Sequence, residues 1–354
     1  MSVNPSIAFA AVALQTDRDT PAETPKFLHG LTGGTPYAVS KSTASRSVSC
    51  GNRAASNARV EAIEANPTVN TLCYPDVFPL YLYAALGAIK SSPDSTAGSG
   101  YHKHVITMGA DLPYLTVWGQ LDKGIGVTSG CRVGTLEITA SGNDYLDAAI
   151  SLMGTDSKFG LSQIPGSLNA SCYGGQFITT DCEFKLDTAS NVPKEALVSE
   201  ATFTIENNAA AQTALGRAMP RDIGIGQLAA GVSVTTIPDD FKQFQKMLTG
   251  SDSETQVSSK VVFGSVYAKF VLDSDAKQYI EIKYDHVPFS AEFPEADPEG
   301  NEATIQFTCD SAIVRDAKSS PVTITVVNKV ETYDSAAAAA MFAAKAPKAA
   351  KASK

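Results

Sequence analysis

One segment of thirteen residues occurs twice in this chain and limits how the chain can fold. Residues 75–87 read PDVFPLYLYAALG and residues 238–250 read PDDFKQFQKMLTG, so Pro, Asp, Phe and the final Gly coincide at a spacing of 163 positions. In each copy the apolar residues recur at the i, i+3, i+4 spacing of one helix face. The sequence therefore predicts the same short helix in both halves of a duplicated chain.

The residues at the two ends of each segment predict where the helices begin and end. Asp76 and Asp239 are predicted N-cap residues, because an aspartate side chain accepts hydrogen bonds from the free amides of a first helical turn. Gly87 and Gly250 are predicted to end the helices, because glycine adopts the left-handed conformation without strain. Pro79 falls in the first turn, where its missing N–H costs no hydrogen bond.

The residues around the first helix predict strands. Residues 7–14 form one predicted strand, and residues 37–74 a long hairpin whose tip is near Gly51 and Asn52. This hairpin is rich in Ser, Thr, Ala and Asn, so it lacks an apolar face to bury in an isolated monomer and requires a partner surface. Four further strands are predicted at residues 101–108, 112–121, 131–140 and 144–153.

The second half repeats this order of elements. Its predicted strands lie at residues 177–186, 201–206, 261–272, 278–284, 289–293, 303–309 and 322–327, and residues 222–236 lead back toward the second helix. The corner at Gly300-Asn301 corresponds to the turn at Gly142-Asn143 in the first half. The prediction is a mainly β fold of two tandem β-sandwich or β-barrel units, each flanked by one short α-helix.

The boundaries of these units follow from changes in composition. Residues 154–175 are rich in Gly, Ser and Pro, and the chain ends in an Ala/Lys-rich segment of low complexity that is predicted to be disordered. The predicted divisions are an N-terminal arm 1–34, a first unit 35–154, a linker 155–175, a second unit 176–330 and a tail 331–354.

Charge and composition exclude several classes of function. The net charge is −9, and the last twenty residues carry four lysines and no acid, so the remainder carries −13 and repels nucleic acid. The six cysteines lack metal-ligand spacing and are expected to be reduced packing residues. No basic residue precedes the apolar run 7–14, and no run is long enough to span a membrane, so neither a signal peptide nor a membrane segment is expected.

Several short segments follow one another in a characteristic order along the chain. They are VALQ at 12–15, TPA at 20–22, DLPYLTV at 111–117, GCRVGTL at 130–136, IGIG at 223–226, GVSV at 231–234, PDDF at 238–241, YIEI at 279–282 and a closing strand at 322–328. In this order the chain resembles a bacteriophage major tail tube protein of long, non-contractile tails, over most of residues 7–328. The Ala/Lys-rich tail departs from the pattern of that family.

The resemblance implies a tail-tube-like unit in each half, assembling as a β-sandwich into rings that stack into a tube around a DNA channel. It implies inward-facing hairpin strands that pair edge to edge into one barrel, and a place in the phage tail of the virion after assembly in the host cytoplasm. The partners it implies are further copies of the chain, the tape measure protein, the tail terminator and tail-tip proteins. Double-stranded DNA is expected to pass transiently and without sequence preference, and no cofactor or enzymatic activity is implied.

The duplication bears on the number of chains in a ring. If both halves are tube units, three chains make a ring with pseudo-sixfold symmetry, whereas six chains are needed if only one half lines the channel. The duplication favours three. An acidic stretch in the second half fits the channel wall, a contact between rings or a solvated loop. Its members are Glu292, Glu295, Asp297, Glu299 and Glu302.

Two other classes of function remain as alternatives. A duplicated β-sandwich also suits an adhesin or carbohydrate-binding module of a virion or cell surface, but Trp118 is the single tryptophan and sugar sites usually present aromatic side chains. His102 and His104 share one strand face and would ligate a metal if a third ligand joined them, whereas a polar, exposed strand face explains the same pattern. Gly124-Ile125-Gly126 lacks the strand-to-helix frame of a dinucleotide site.

Overall fold

The computed structural model describes residues 3–46, 57–166, 175–294, 303–316 and 319–333. The first half contains one helix, α1 (Phe78–Leu86). Its strands are β1 (Ala8–Leu14), β2 (Phe27–Gly30), β3 (Val39–Arg46), β4 (Asn57–Ala65), β5 (Thr68–Leu72), β6 (Gly87–Pro93), β7 (His102–Met108), β8 (Leu115–Leu121), β9 (Gly124–Ser141), β10 (Asp147–Met153) and β11 (Asp156–Phe159).

The second half also contains one helix, α2 (Lys242–Thr249). Its strands are β12 (Phe177–Asp187), β13 (Lys194–Glu195), β14 (Val198–Glu206), β15 (Ala210–Gln212), β16 (Asp222–Gly224), β17 (Ala229–Thr236), β18 (Gly264–Leu272), β19 (Asp275–Val287), β20 (Ile305–Cys309) and β21 (Val322–Asn328). The predicted mainly β fold of antiparallel sheets with two short helices is confirmed. Residues 156–159, placed in the predicted linker, instead form a strand that pairs with β9.

The pairing scheme of the first half recurs in the second. In the first half β1 pairs with β2 and β8, β8 with β9, β9 with β11, and β5 with β10. In the second half β12 pairs with β13 and β18, β18 with β19, β19 with β21, and β17 with β20. All of these pairs are antiparallel, so each half presents the same order of strands around its helix.

The two halves share both of their main sheets. In the larger sheet β9 pairs with β14, and in the seven-stranded sheet β7 pairs with β21. Buried apolar residues from both halves form one continuous core, in which Phe203 of β14 stacks at 6.0 Å on Tyr284 of β19. The halves are therefore joined side by side by backbone hydrogen bonds as well as by apolar packing.

Strand β9 is long enough to take part in two different sets of pairs. Its first residues pair with β8 and β11, and its last ten with β10 and β14. Gly130, with φ 62°, lies between these two parts, and its N–H donates to Gln15 Oε1 at 2.6 Å. A positive φ suits glycine, so the change of pairing partners occurs at a position where a side chain would be strained.

The helix ends are only partly as the sequence predicts. Gly87 and Gly250 are the C-cap residues, with φ 93° and 85°. The N-cap positions are Val77 and Phe241, so Asp76 and Asp239 lie one and two residues too early for the predicted capping role. The first amides find other acceptors.

In α1 the acceptor is a carbonyl of the preceding turn, because Phe78 N–H donates to Tyr74 O at 3.0 Å. Pro79 lies in the first turn of this helix, as the sequence predicts. In α2 the acceptor is a neighbouring carboxylate, because Lys242 N–H donates to Asp240 Oδ1 at 2.9 Å. The pattern of the sequence thus identified the right type of capping residue in α2 but placed it one position early.

Candidate assembly interface

The β3–β4 hairpin projects from the first half with little support. Among the described residues its strands pair with each other, and β4 is also bridged at its last residue, where Gly154 N–H donates to Ala65 O at 2.8 Å. Most of the hairpin side chains are exposed. One backbone bond ties the hairpin to the second half, from Ile63 N–H to Ala218 O at 2.8 Å. The predicted tip at Gly51-Asn52 lies outside the described residues. A polar two-stranded ribbon of this kind gains stability chiefly from a partner surface.

The second half contains the same hairpin in shorter form, and there it is anchored. Val60 of β4 and Ile223 of β16 are separated by the same spacing as the two helices. Val60 faces Thr43 in the first hairpin, and Ile223 faces Ala211 in the second. The anchor is the buried Arg132 of β9, whose Nη1 donates to Ile223 O at 3.1 Å. The second hairpin is thus held by the first half of its own chain.

The same Arg132 is fixed on three sides. Its Nη2 lies 3.0 Å from Asp111 Oδ1, and its guanidinium lies over the Tyr114 ring at 4.2 Å. Tyr114 Oη donates to Asp222 Oδ1 at 2.9 Å, which extends the network into the β15–β16 hairpin. A rigid, planar guanidinium suits such a junction because it makes directed bonds and a ring contact at once.

A groove of about 570 Å³ runs along residues 31–37, just after β2. One edge of this segment is bonded to β5, through Thr32 N–H to Asn70 O at 2.9 Å and Thr68 N–H to Thr35 O at 2.9 Å. The exposed ring of Phe159 forms part of the other wall. No strand of the described chain pairs with the outer edge of the segment.

Two glycines bring residues 36 and 37 close to the facing sheet. A Cβ at Gly119 would lie 2.4 Å from the carbonyl carbon of Pro36, and one at Gly126 would lie 2.2 Å from the Tyr37 ring. Tyr37 also packs against Phe159, with ring centroids 5.2 Å apart. Glycine is required at both positions because the segment rests directly on β8 and β9.

The repeated helices differ in how much of their surface is covered. Every residue of α1 except Tyr83 is buried, and α2 has no buried residue. The cover over α1 comes from the second half: Asn207 Nδ2 donates to Ala85 O, Asn328 Nδ2 donates to Pro75 O, and Tyr333 Oη donates to Asp76 O. On α2, Phe244 and Met247 are half-buried against the core, whereas the exposed Phe241 ring meets the exposed Phe293 ring, with centroids 4.9 Å apart.

Of the five acidic residues predicted for the channel or a ring contact, Glu292 is described and is exposed beside Phe293. The other four, Glu295, Asp297, Glu299 and Glu302, lie outside the described residues, as does the predicted corner at Gly300-Asn301. The corresponding turn in the first half contains Asn143 with φ 60°.

One carboxylate joins the two halves electrostatically. Asp275, at the start of β19, accepts a hydrogen bond from Tyr101 Oη at 2.7 Å and lies 3.2 Å from Lys329 Nζ. The Tyr101 hydroxyl and the Lys329 ammonium lower the pKa of Asp275 to about 2, so its carboxylate stays charged to a lower pH than an ordinary aspartate. This contact fixes the loop before β7 against the second half.

The histidine pair of β7 is part of the structural core. His104 is fully buried, with Nδ1 2.8 Å from Ser91 Oγ and Nε2 3.0 Å from Asn328 Oδ1. Neither the metal pair nor the exposed polar strand face anticipated for His102 and His104 is correct, because the end of β21 covers the ring of His104. Within the described ranges no group of three His, Cys, Asp or Glu side chains could hold a metal ion.

Trp118 also has a packing role. It is buried against Ala11 and Ala13 of β1, as expected for a residue on a sheet face. Among the residues the structure describes, neither helix has the length and apolar character needed to cross a membrane.

The two hairpins, the groove and the exposed side of α2 are surfaces and strand edges. They were only partly visible in the sequence: the hairpin was identified from its composition, whereas the groove along residues 31–37 was missed because that segment reads as a Pro/Gly-rich connection. The spacing between the two helices could not have identified it, because this segment is separated from its counterpart in the second half by a different number of residues.

Comparison with known proteins agrees with this picture. Comparison with curated proteins gave no match. The phage tail tube protein family matches residues 6–309, which include both helices and every named strand except β21. The chain therefore belongs to the phage tail tube protein family, whose members are structural components of the virion tail.

Proposed function

We propose that three copies of this chain close into a ring of six similar units and that such rings stack into the tail tube. The observation that carries this proposal is the repeated pairing scheme, in which two units of one chain already lie side by side with both sheets continuous between them. A unit that joins its neighbour through shared sheets repeats the same junction around a closed ring.

The edges of each sheet support closure by further copies. Residues 31–37 and the β3–β4 hairpin each have an edge without a strand partner in the described chain, and α2 has no fully buried residue. Exposed strand edges favour association, and a closed barrel removes them. The protein's partners in the tail are accordingly further copies of itself, with the tape measure protein, the terminator and the tip proteins at the ends of the tube.

In this role the protein lines a channel through which the phage genome passes into the host. The net charge of −9 suits that passage, because an acidic wall repels the phosphate backbone instead of holding it. The role requires no catalytic group or cofactor, and assembly takes place in the host cytoplasm before the virion is complete.

The direct test is electron microscopy of the purified full-length protein at high concentration and varied salt, together with mass measurement of the smallest ring. We expect rings of three chains and, on further concentration, tubes. Rings of six chains would mean that a single half of each chain lines the channel. A protein that stays monomeric under all these conditions would contradict the proposal.

A further inference from the structure

The junction between the two halves of one chain has an incomplete counterpart on each outer side of the chain. Inside the chain, β9 of the first half pairs with β14 of the second, with Glu137 opposite Thr204 and Thr139 opposite Thr202. The first half contains a segment equivalent to β14, and the second half contains one equivalent to β9. The registers of the strand pairs show which individual residues correspond in both cases.

The first equivalence follows from β5 and β17. These strands are related by the same spacing as the two helices, so Thr68 corresponds to Gly231. Gly231 faces Thr204 in β14, and Thr68 N–H donates to Thr35 O at 2.9 Å. Thr35 of the first half therefore occupies the position that Thr204 occupies in the second.

A second pair of residues gives the same result. Asn70 of β5 corresponds to Ser233 of β17. Asn70 is bridged to Gly33, and Ser233 faces Thr202. Gly33 and Thr202 are separated along the chain by the same spacing as Thr35 and Thr204, so residues 31–37 correspond to the part of β14 that pairs with β9.

The other equivalence follows from β10 and β20. Ala149 faces Asn70 of β5, and Thr308 faces Ser233 of β17. Because Asn70 corresponds to Ser233, Ala149 and Thr308 occupy the same position. On its other side Ala149 faces Glu137 of β9, and Thr308 is bridged to Ser290. Ser290 therefore occupies the position of Glu137, and residues 289–293 occupy the position of the end of β9.

We propose that residues 289–293 of one copy pair antiparallel with residues 31–37 of the next copy, with Thr35 opposite Ser290 and Gly33 opposite Glu292. This inference rests on the proposed ring and specifies which residues of the chain form the contact between subunits. It makes the contact between chains a repeat of the contact within a chain.

The groove along residues 31–37 provides the space for this contact. At the corresponding place in the second half, the turn between β9 and β10 is bound by Leu146 N–H to Phe177 O at 2.9 Å and by Gly142 N–H to Ser199 O at 3.1 Å. Ala8 lines the groove. It precedes Phe177 by the same spacing that separates Thr35 from Thr204, so Ala8 corresponds to Phe177. Beside the second half, this position is filled by the first half of the same chain. Beside the first half, at the outer side of the chain, the corresponding position is the open groove.

The exposed side of α2 supports the same partner. Within one chain, Asn207 and Asn328 of the second half cover α1. A second copy docked in the proposed register brings its first half over α2, where Phe241 and Phe293 are 45% and 60% exposed. Burial of these two rings adds apolar contact to the strand pairing.

Paired cysteines test the register in the full-length protein. The background replaces the exposed Cys182 and the two cysteines outside the described residues by serine, as Cys182→Ser, Cys50→Ser and Cys172→Ser. Thr35→Cys and Ser290→Cys are then combined in one chain. A disulfide requires Cα atoms within about 7 Å, which residues directly opposite each other satisfy.

The matched control combines Thr35→Cys with Thr308→Cys. Thr308 lies one strand beyond Ser290, about 10 Å from the proposed partner, so it is too distant for a disulfide. Under oxidising conditions we expect Thr35/Ser290 chains to become linked dimers and closed trimers that reductant dissolves. The control chains should remain mostly unlinked.

The outcomes separate this inference from the proposed function. Rings seen by electron microscopy, with no disulfide between Thr35→Cys and Ser290→Cys, would overturn the register and leave the ring intact. Equal linking in the control would also overturn it. Chains that form neither rings nor linked species would contradict the proposed function, and with it this contact.

Discussion

Phe78 and Phe241 occupy the same position of the repeated helix, yet Phe78 is 1% exposed and Phe241 is 45% exposed. The difference arises outside the helices, because residues of the second half cover α1 and nothing in the described chain covers α2 equally. The more polar sequence of α2, with Lys242, Gln243 and Gln245, is compatible with exposure until a partner arrives.

Phe241→Asp is expected to prevent assembly and leave the fold of the single chain intact. A carboxylate at this position would be buried without a partner in the proposed contact, which costs several kcal/mol, whereas in the free chain it is solvated. Sedimentation velocity would report the loss of rings, and far-UV circular dichroism the retained fold.

Val192→Asp is the matched control for Phe241→Asp. Val192 is 71% exposed and lies outside the proposed contact, so this variant should assemble like the unmodified chain. Normal rings from the Phe241→Asp variant would show that α2 remains outside the subunit contact.

Gly119→Ala is expected to displace residues 36 and 37 and weaken assembly. The added Cβ would lie 2.4 Å from the backbone of Pro36, so the segment must shift at a cost of about 1–3 kcal/mol. Gly142→Ala is its counterpart, since a Cβ there meets Ser199 O at 3.7 Å, an ordinary contact. Thermal unfolding and ring yield measured side by side would test this, and equal effects of the two substitutions would refute it.

The shared core predicts that the chain unfolds in one step. Phe203→Ala at the junction of the halves should lower the free energy of unfolding by about 3–5 kcal/mol without splitting the transition, because buried residues of both halves touch. Thr204→Ala, on the other face of the same strand, should change it by about 0.5 kcal/mol or less. Two separate calorimetric transitions in either protein would mean that the halves are independent domains.

The buried His29 should make the protein sensitive to mild acid. Burial lowers the pKa of His29 to about 4, with Nε2 3.0 Å from Tyr81 Oη. Since the unfolded chain binds the proton more readily, with a pKa near 6.5, stability is full above pH 6.5 and falls as the pH drops toward 4. We expect the free energy of unfolding to fall by about 2 kcal/mol more in the unmodified chain than in His29→Gln between pH 7 and 5.

Denaturant titrations at the two pH values would measure that difference. If the unmodified chain and the His29→Gln variant lose the same free energy on acidification, the acid sensitivity originates in other groups, among which the buried His104 also has a lowered pKa.

The features predicted correctly from the sequence are those set by neighbours along the chain. Gly87 and Gly250 end their helices because glycine tolerates the left-handed conformation, and the β3–β4 hairpin is exposed because its composition offers no apolar face. The errors came where a distant segment decides the outcome. His104 reads as a surface residue or a ligand on its own strand and is buried because Asn328 and Val330 lie over it.

The sequence by itself determined the repeated segment, many of the strands and the positions of both helices, since periodicity, turn residues and the 163-residue spacing of the two helices are local or repeated signals. Only the tertiary structure decided that β9 joins β14, that β7 joins β21, and that α1 is buried while α2 stays partly exposed. The physical reason is that backbone hydrogen bonds between strands carry almost no sequence information. The choice of partner is made by packing across the whole core, in which residues from both halves take part.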